Sequence, residues 1–158
     1  MPTIIDGSGS ADFQTPLPVS EGGTGSTVGA AYGRVVRTAG DITTTSTSLV
    51  DLTGATVTIT TGANPVAYGA TQTMSNDSLG AFNVYNIDID GTLQFGTDGA
   101  SFRQPVAGYN VNASFSGQSA VLSAASHTIK ERWLVSAGTG TIQGGTDQNH
   151  LFYAQEIR

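Results

Sequence analysis

The sequence predicts an all-β protein: an antiparallel, jelly-roll-like β-sandwich preceded by an extended N-terminal arm. Three observations lead there. From Arg34 onward, short apolar runs alternate with polar residues and are separated by glycine, asparagine, aspartate and proline turns. Only 11% of the residues are charged, against roughly 25% in an average domain. Serine and threonine fill the difference, and such residues suit the solvent face of strands. No window of about eleven residues keeps a helical period; the best helical candidate, "GQSAVLSAAS", is short and bounded by glycine.

The chain of 158 residues suits one domain carrying an arm. Residues 1–33 form the arm, rich in glycine, serine and proline, with isolated apolar groups at Ile4, Ile5, Phe13, Leu17 and Val19. Residues 34–158 form the sandwich. "GRVVRTAG" reads as its first strand and "SLVDLTG" as its second. "ATVTITTG" sets Val57 and Ile59 against Thr56, Thr58 and Thr60, and "PVAYGATQTM" places Val66, Tyr68, Ala70, Gln72 and Met74 on one face. "AFNVYNIDIDG" begins with Phe82 and Val84 in phase and continues with Ile87 and Ile89 in the opposite phase. That change implies a bulge near Tyr85 and Asn86, or a strand covered on both faces. "GYNVNASFSG" alternates Tyr109, Val111, Ala113 and Phe115 against polar residues. "SHTIKERWLVSAG" aligns Ile129, Glu131, Trp133 and Val135, and "LFYAQEIR" closes the chain as a last strand.

The balance of charge narrows the function. Twelve carboxylates against six basic groups give a net charge of −6 without basic runs, so no patch suits nucleic acid or anionic lipid. With no cysteine there is neither a disulfide framework nor a thiolate metal site. The N-terminus "MPTIIDGSGSADF" lacks the basic and apolar regions of a signal peptide, and no segment approaches the roughly 20 apolar residues of a membrane span.

Residues suited to catalysis are few. His127 and His150 are the only imidazoles, and no G-x-S-x-G elbow accompanies them, so a Ser-His-Asp arrangement has no support in the sequence. "DIDG", Asp88 to Gly91, with Asp98 beyond it, lacks the further oxygen ligands and closing glutamate of a calcium loop, and reads as a strand ending in an Asp-Gly turn. "GGTGS", Gly22 to Ser26, has no following lysine and no preceding strand, which argues against a phosphate loop. No enzyme activity, cofactor or metal is expected. Glu131 is the odd residue, a carboxylate on an otherwise apolar face. It needs a partner, a subunit interface or a place at the solvent rim. Arg103, Lys130 and Arg132 are the cationic candidates.

"LPVSEGGTG", Leu17 to Gly25, resembles a segment that recurs in tail fibres and other surface proteins of tailed bacteriophages, commonly just before or between folded modules. "SLVDLTGATVTITTGANPV", "HTIKERWLVSAGTGTI" and "LFYAQEI" resemble the small jelly-roll domains at the ends of phage fibres and in head-surface proteins; Glu131 departs from that pattern, which usually alternates apolar residues there. The resemblance implies a homotrimer on the virion surface, made in the host bacterial cytoplasm. Its partners would be other virion proteins, either the major capsid protein or tail and fibre components. The anchoring residues would be Ile4, Ile5, Phe13, Leu17, Pro18, Val19, Gly22, Gly23 and Gly25. Phe82, Val84, Ile87, Ile89 and Glu131 would lie between subunits. Two functions follow. One is a capsid decoration, cement or head-fibre protein docked by its arm. The other is a tail-fibre or receptor-binding tip that recognises host surface glycans through aromatics such as Tyr32, Phe102 or Phe152. A single arm leading directly into one domain favours the first.

Overall fold

A computed structural model describes residues 30–145 and 150–158. The arm residues Ile4, Ile5, Phe13, Leu17, Pro18, Val19, Gly22, Gly23 and Gly25 therefore lie outside the described residues. The strands in chain order are β1 (Tyr32–Arg37), β2 (Ile42–Thr44), β3 (Val50–Thr60), β4 (Val66–Asn76), β5 (Phe82–Ile89) and β6 (Thr92–Leu93), then β7 (Ala100–Arg103), β8 (Val111–Gln118), β9 (Ser126–Val135), β10 (Gly140–Ile142) and β11 (His150–Glu156). No helix occurs among the described residues, and most of "GQSAVLSAAS" is the loop between β8 and β9.

The strand pairs are nested. β1 pairs with β11, β3 with β9, β4 with β8 and β5 with β7, all antiparallel, as in one long hairpin. Rolling that hairpin up brings β11 onto β4 and β9 onto β5. The result is two sheets, β1-β11-β4-β8 and β3-β9-β5-β7, with β2 and β10 extending the first and β6 the second. This is the jelly-roll arrangement of an antiparallel sandwich.

Period-two alternation explains what fills the space between the sheets. Val66, Tyr68, Ala70 and Met74 of β4 face Val57 and Ile59 of β3, Tyr85, Ile87 and Ile89 of β5, and Ile129 and Trp133 of β9 in one core. Tyr85 stacks on Phe115 at 5.7 Å and on Trp133 at 6.2 Å, while Phe95 meets Tyr68 and Phe115 edge-on. Tyr109 is the exception to its alternation. It precedes β8, in an exposed loop.

Two strands depart from the expected pattern. "SLVDLTG" and "ATVTITTG" belong to the single strand β3, whose register against β9 shifts between Asp51 and Thr56 around Gly54 at φ 77°. The irregularity sits there and not in β5, which keeps one register along β9 from Asn83 to Ile89. The phase change in β5 arises because both its faces are covered. Ile87 and Ile89 face the core. Val84 lies under Gly99, where a Cβ would stand 2.7 Å from Val84 Cγ1. Asn86 receives the Phe95 amide on its Oδ1 and donates to the Gly96 carbonyl.

Candidate functional site

The sandwich has two distinct ends. At the end where the described chain begins, Glu156 gathers the strands. Buried at the close of β11, its carboxylate accepts from the Gly62 amide at 2.7 Å, Asn64 Nδ2 at 2.9 Å, the Ala31 amide at 3.2 Å and Arg158 Nε at 2.8 Å. It thus ties the β3–β4 turn and the C-terminus to the backbone through which residues 1–29 join the sandwich. Asn64 foremost, then the Gly62 and Ala31 amides and Arg158, hold this carboxyl at about 2, below its ordinary 4.5 and against the effect of burial. A depressed carboxylate stabilises the fold fully above its unfolded value, and the stabilisation is lost as pH falls from 4.5 to about 2. Glu156→Gln is accordingly expected to lower the melting temperature at neutral pH and to flatten its decline in acid, as followed by circular dichroism across pH. An acid limb as steep as the parent's would exclude this role.

In the interior, Glu131 of β9 and His150 of β11 form a fully buried hydrogen-bonded pair, Oε2 to Nε2 at 2.7 Å, that joins one sheet to the other. Its partner is therefore neither Arg103 nor Lys130 nor Arg132. Lys130 pairs with Asp51, and Arg132 bridges Asp51 and Asp88, on the outer face of the second sheet. Ile87, Ile89 and Glu131, expected between subunits, face the chain's own core and offer no surface to a second copy. Of that set Phe82 alone is exposed, and Val84 is buried. The signal for His150 was its parity: His150, Phe152, Ala154 and Glu156 alternate inward along β11.

Neither imidazole is arranged as a general base. His150 is enclosed, and His127 has Nδ1 on Asp90 at 2.6 Å and Nε2 on the Ser123 carbonyl at 2.9 Å, so among the described residues both its nitrogens meet oxygens other than a hydroxyl. "DIDG" is a turn. Asp88 Oδ1 accepts from the Gly91 amide and its other oxygen meets Arg132. No group of three or more histidine, aspartate or glutamate side chains able to hold a metal occurs among the described residues.

At the opposite end, the Gly80 amide donates to the Gln104 carbonyl, the Gln104 amide to Ala81 and the Gly108 amide to Asn76, which locks the β7–β8 loop against the β4–β5 turn. The two segments expose Leu79, Phe82, Val106 and Tyr109 and border a groove of about 290 Å³ lined by Leu79, Gly80, Arg103, Gln104 and Pro105. Of the aromatics considered for sugar stacking, Tyr32 is exposed. Phe152 is wholly buried and Phe102 packs against Tyr85 and Phe115.

No protein family and no curated protein sequence matches the chain. Several solved structures are similar at low identity. Dimeric latent PorU from Porphyromonas gingivalis is 9% identical over 82% of this chain, with a TM-score of 0.46. A structure of T=1 particles derived from infectious bursal virus is 11% identical over 80% of the chain, also at 0.46. Eiger TNF from S. frugiperda is 11% identical over 82% of the chain, at 0.41, and the match covers 92% of that protein. The chain spans only 13% of PorU and 36% of the bursal virus protein. These similarities carry no functional assignment.

Proposed function

We propose that the protein is a non-enzymatic structural component of a tailed-bacteriophage virion, a capsid decoration, cement or head-fibre protein that docks through residues 1–29 and displays the sandwich as a homotrimer. The observation that carries this reading is the "LPVSEGGTG" segment standing just ahead of β1. One feature of the fold supports it. The chain joins the sandwich at the end organised by Glu156, so an anchored arm leaves the rim of Leu79, Phe82, Val106 and Tyr109 pointing away from the attachment point.

The glycan-binding tail tip remains the second reading, supported by exposed Tyr32 and Tyr109 and weakened by the burial of Phe152 and Phe102. One experiment separates the two. The arm was expected to run to residue 33, but Tyr32 and Gly33 pair with Gln155 and Ala154 in β1 and the Ala31 amide bonds to Glu156, so the deletion stops at residue 29; removing residues 1–29 is expected to leave a folded trimer that sediments as the full chain does but no longer joins particles. Retained incorporation, or a folded monomer at low micromolar concentration, would count against the proposal. Saturable binding to host-surface polysaccharide without turnover, lost on Tyr109→Ala, would favour the tail-tip reading.

A further inference from the structure

Both ring nitrogens of His127 face acceptors: the Asp90 carboxylate at 2.6 Å and the Ser123 carbonyl at 2.9 Å. A neutral imidazole carries one N–H, so it would satisfy one of these and turn a lone pair towards the other; only the imidazolium donates to both. The acceptors sit on different segments. Asp90 occupies the β5–β6 turn at φ 49°, with Oδ1 accepting the Thr128 amide. Ser123 lies in the β8–β9 loop, which is otherwise tied down by the Ser119 amide on Val66, the Leu122 amide on Asn64, and two bonds from Thr61, one to Ser123 and one to Ala125. Between turn and loop runs a cleft of about 350 Å³ with Thr92, Gln94, Ser119 and Val121 among its walls.

We propose that His127 is a proton-operated latch: as the imidazolium it ties the β8–β9 loop to the β5–β6 turn across this cleft, and on losing a proton it keeps Asp90 and releases Ser123. The choice of bond follows from charge, since a lone pair facing a carboxylate is more repulsive than one facing a neutral carbonyl. The charged surroundings are simple. Among the described residues, Asp90 is the one charge in contact with the ring. Asp88 is engaged by the Gly91 amide and Arg132, and Lys130, further along β9, pairs with Asp51. The loop "SAVLSAA" has no ionisable side chain, and β3 presents Ile59 and Thr60 beside His127 and Ser126.

The Ser123 carbonyl first, and Asp90 second, raise the imidazole above its ordinary 6.5, while the His127 bond chiefly lowers Asp90 below 3.8. For a raised histidine, the contribution to stability is complete below 6.5 and disappears as pH rises through the folded value; for Asp90 it disappears as pH falls below 3.8. The latch is therefore fully closed between those limits and opens on the alkaline side.

The test is nitrogen NMR of the His127 ring together with amide exchange of the full chain, corrected for intrinsic rates. At about pH 6 both ring nitrogens should carry protons, and protection of the Leu122 amide should fall about tenfold as pH rises through the ring's titration. The Ala31 and Gly62 amides held by Glu156 should not change. Asp90→Asn should lower the His127 midpoint, and His127→Gln should make Leu122 protection independent of pH. An unprotonated Nε2 at about pH 6 would overturn the latch. So would the parent's pH dependence of Leu122 exchange persisting in His127→Gln. Should that variant not fold, an unshifted midpoint in Asp90→Asn has the same force.

Discussion

Glu131→Ala is expected to destabilise the protein by about 3–5 kcal/mol in urea unfolding, because it strands a buried polar group in the core. His150 has no exposure, and its Nε2 is hydrogen-bonded across the sandwich to Glu131, whose second oxygen, Oε1, has no hydrogen-bond partner among the described residues. Truncating either residue leaves the other dry and unpaired. Burial, and after it the charge of Glu131, also holds the Tyr85 phenol well above its ordinary value, so the pair influences its neighbours in the core. Glu131→Gln, which keeps an acceptor, should lose less. Replacing both partners with leucine should recover much of the loss, since apolar substitutes of similar volume often match a buried ion pair. A single truncation costing under about 1 kcal/mol would show that the pair does not hold the sheets together.

Trp133→Ala should cost about as much, roughly 3–5 kcal/mol, by a different mechanism, the loss of apolar contact plus the cavity left behind. The indole is almost wholly buried, stacks on Tyr85 and lies against Gly140, where an added Cβ would stand 3.3 Å from its Cζ3. Its neighbours are backbone and rings held by both sheets, so the site cannot collapse to fill the space. Because Trp133 is the only tryptophan, unfolding of the variant has to be followed by circular dichroism. Val121→Ala, at a position 67% exposed, is the control and should stay within about 0.5 kcal/mol of the parent. A Trp133→Ala loss no larger than that control would mean the aromatic stack is not the centre of the core.

The sheet faces were legible in the sequence because a strand half in water must alternate. The face expected for β4, from Val66 to Met74, and that of β9, from Ile129 to Val135, are the inward faces found. Where alternation fails, the cause lies in distant contacts that no local window contains. β5 lost its period because residues 95–99 fold back over its outer face. Glu131 looked misplaced because its partner stands 19 residues away on the other sheet. Glu156 drew no notice at the end of a short strand, yet its four donors come from the first, middle and last described parts of the chain. The nesting of strands was beyond reach for the same reason. Pairing order is set by which faces must be covered, and that is decided only when both sheets are present.

That nesting governs how the molecule forms. Of the four nested pairs, β5 with β7 is the one close in sequence, whereas β1 must await β11, which completes the pairing at Tyr32 with Gln155. Closing loops of increasing length costs chain entropy before the contacts repay it, which makes such topologies slow to fold. During synthesis β4 emerges long before the strand that will cover its edge. Until β11 has left the ribosome, the Val66–Thr71 half of that edge stays open to pairing with another chain. The yield of soluble protein is thus governed by the race between completing β11 and meeting a neighbour, and slower synthesis or a higher concentration of nascent chains favours the neighbour.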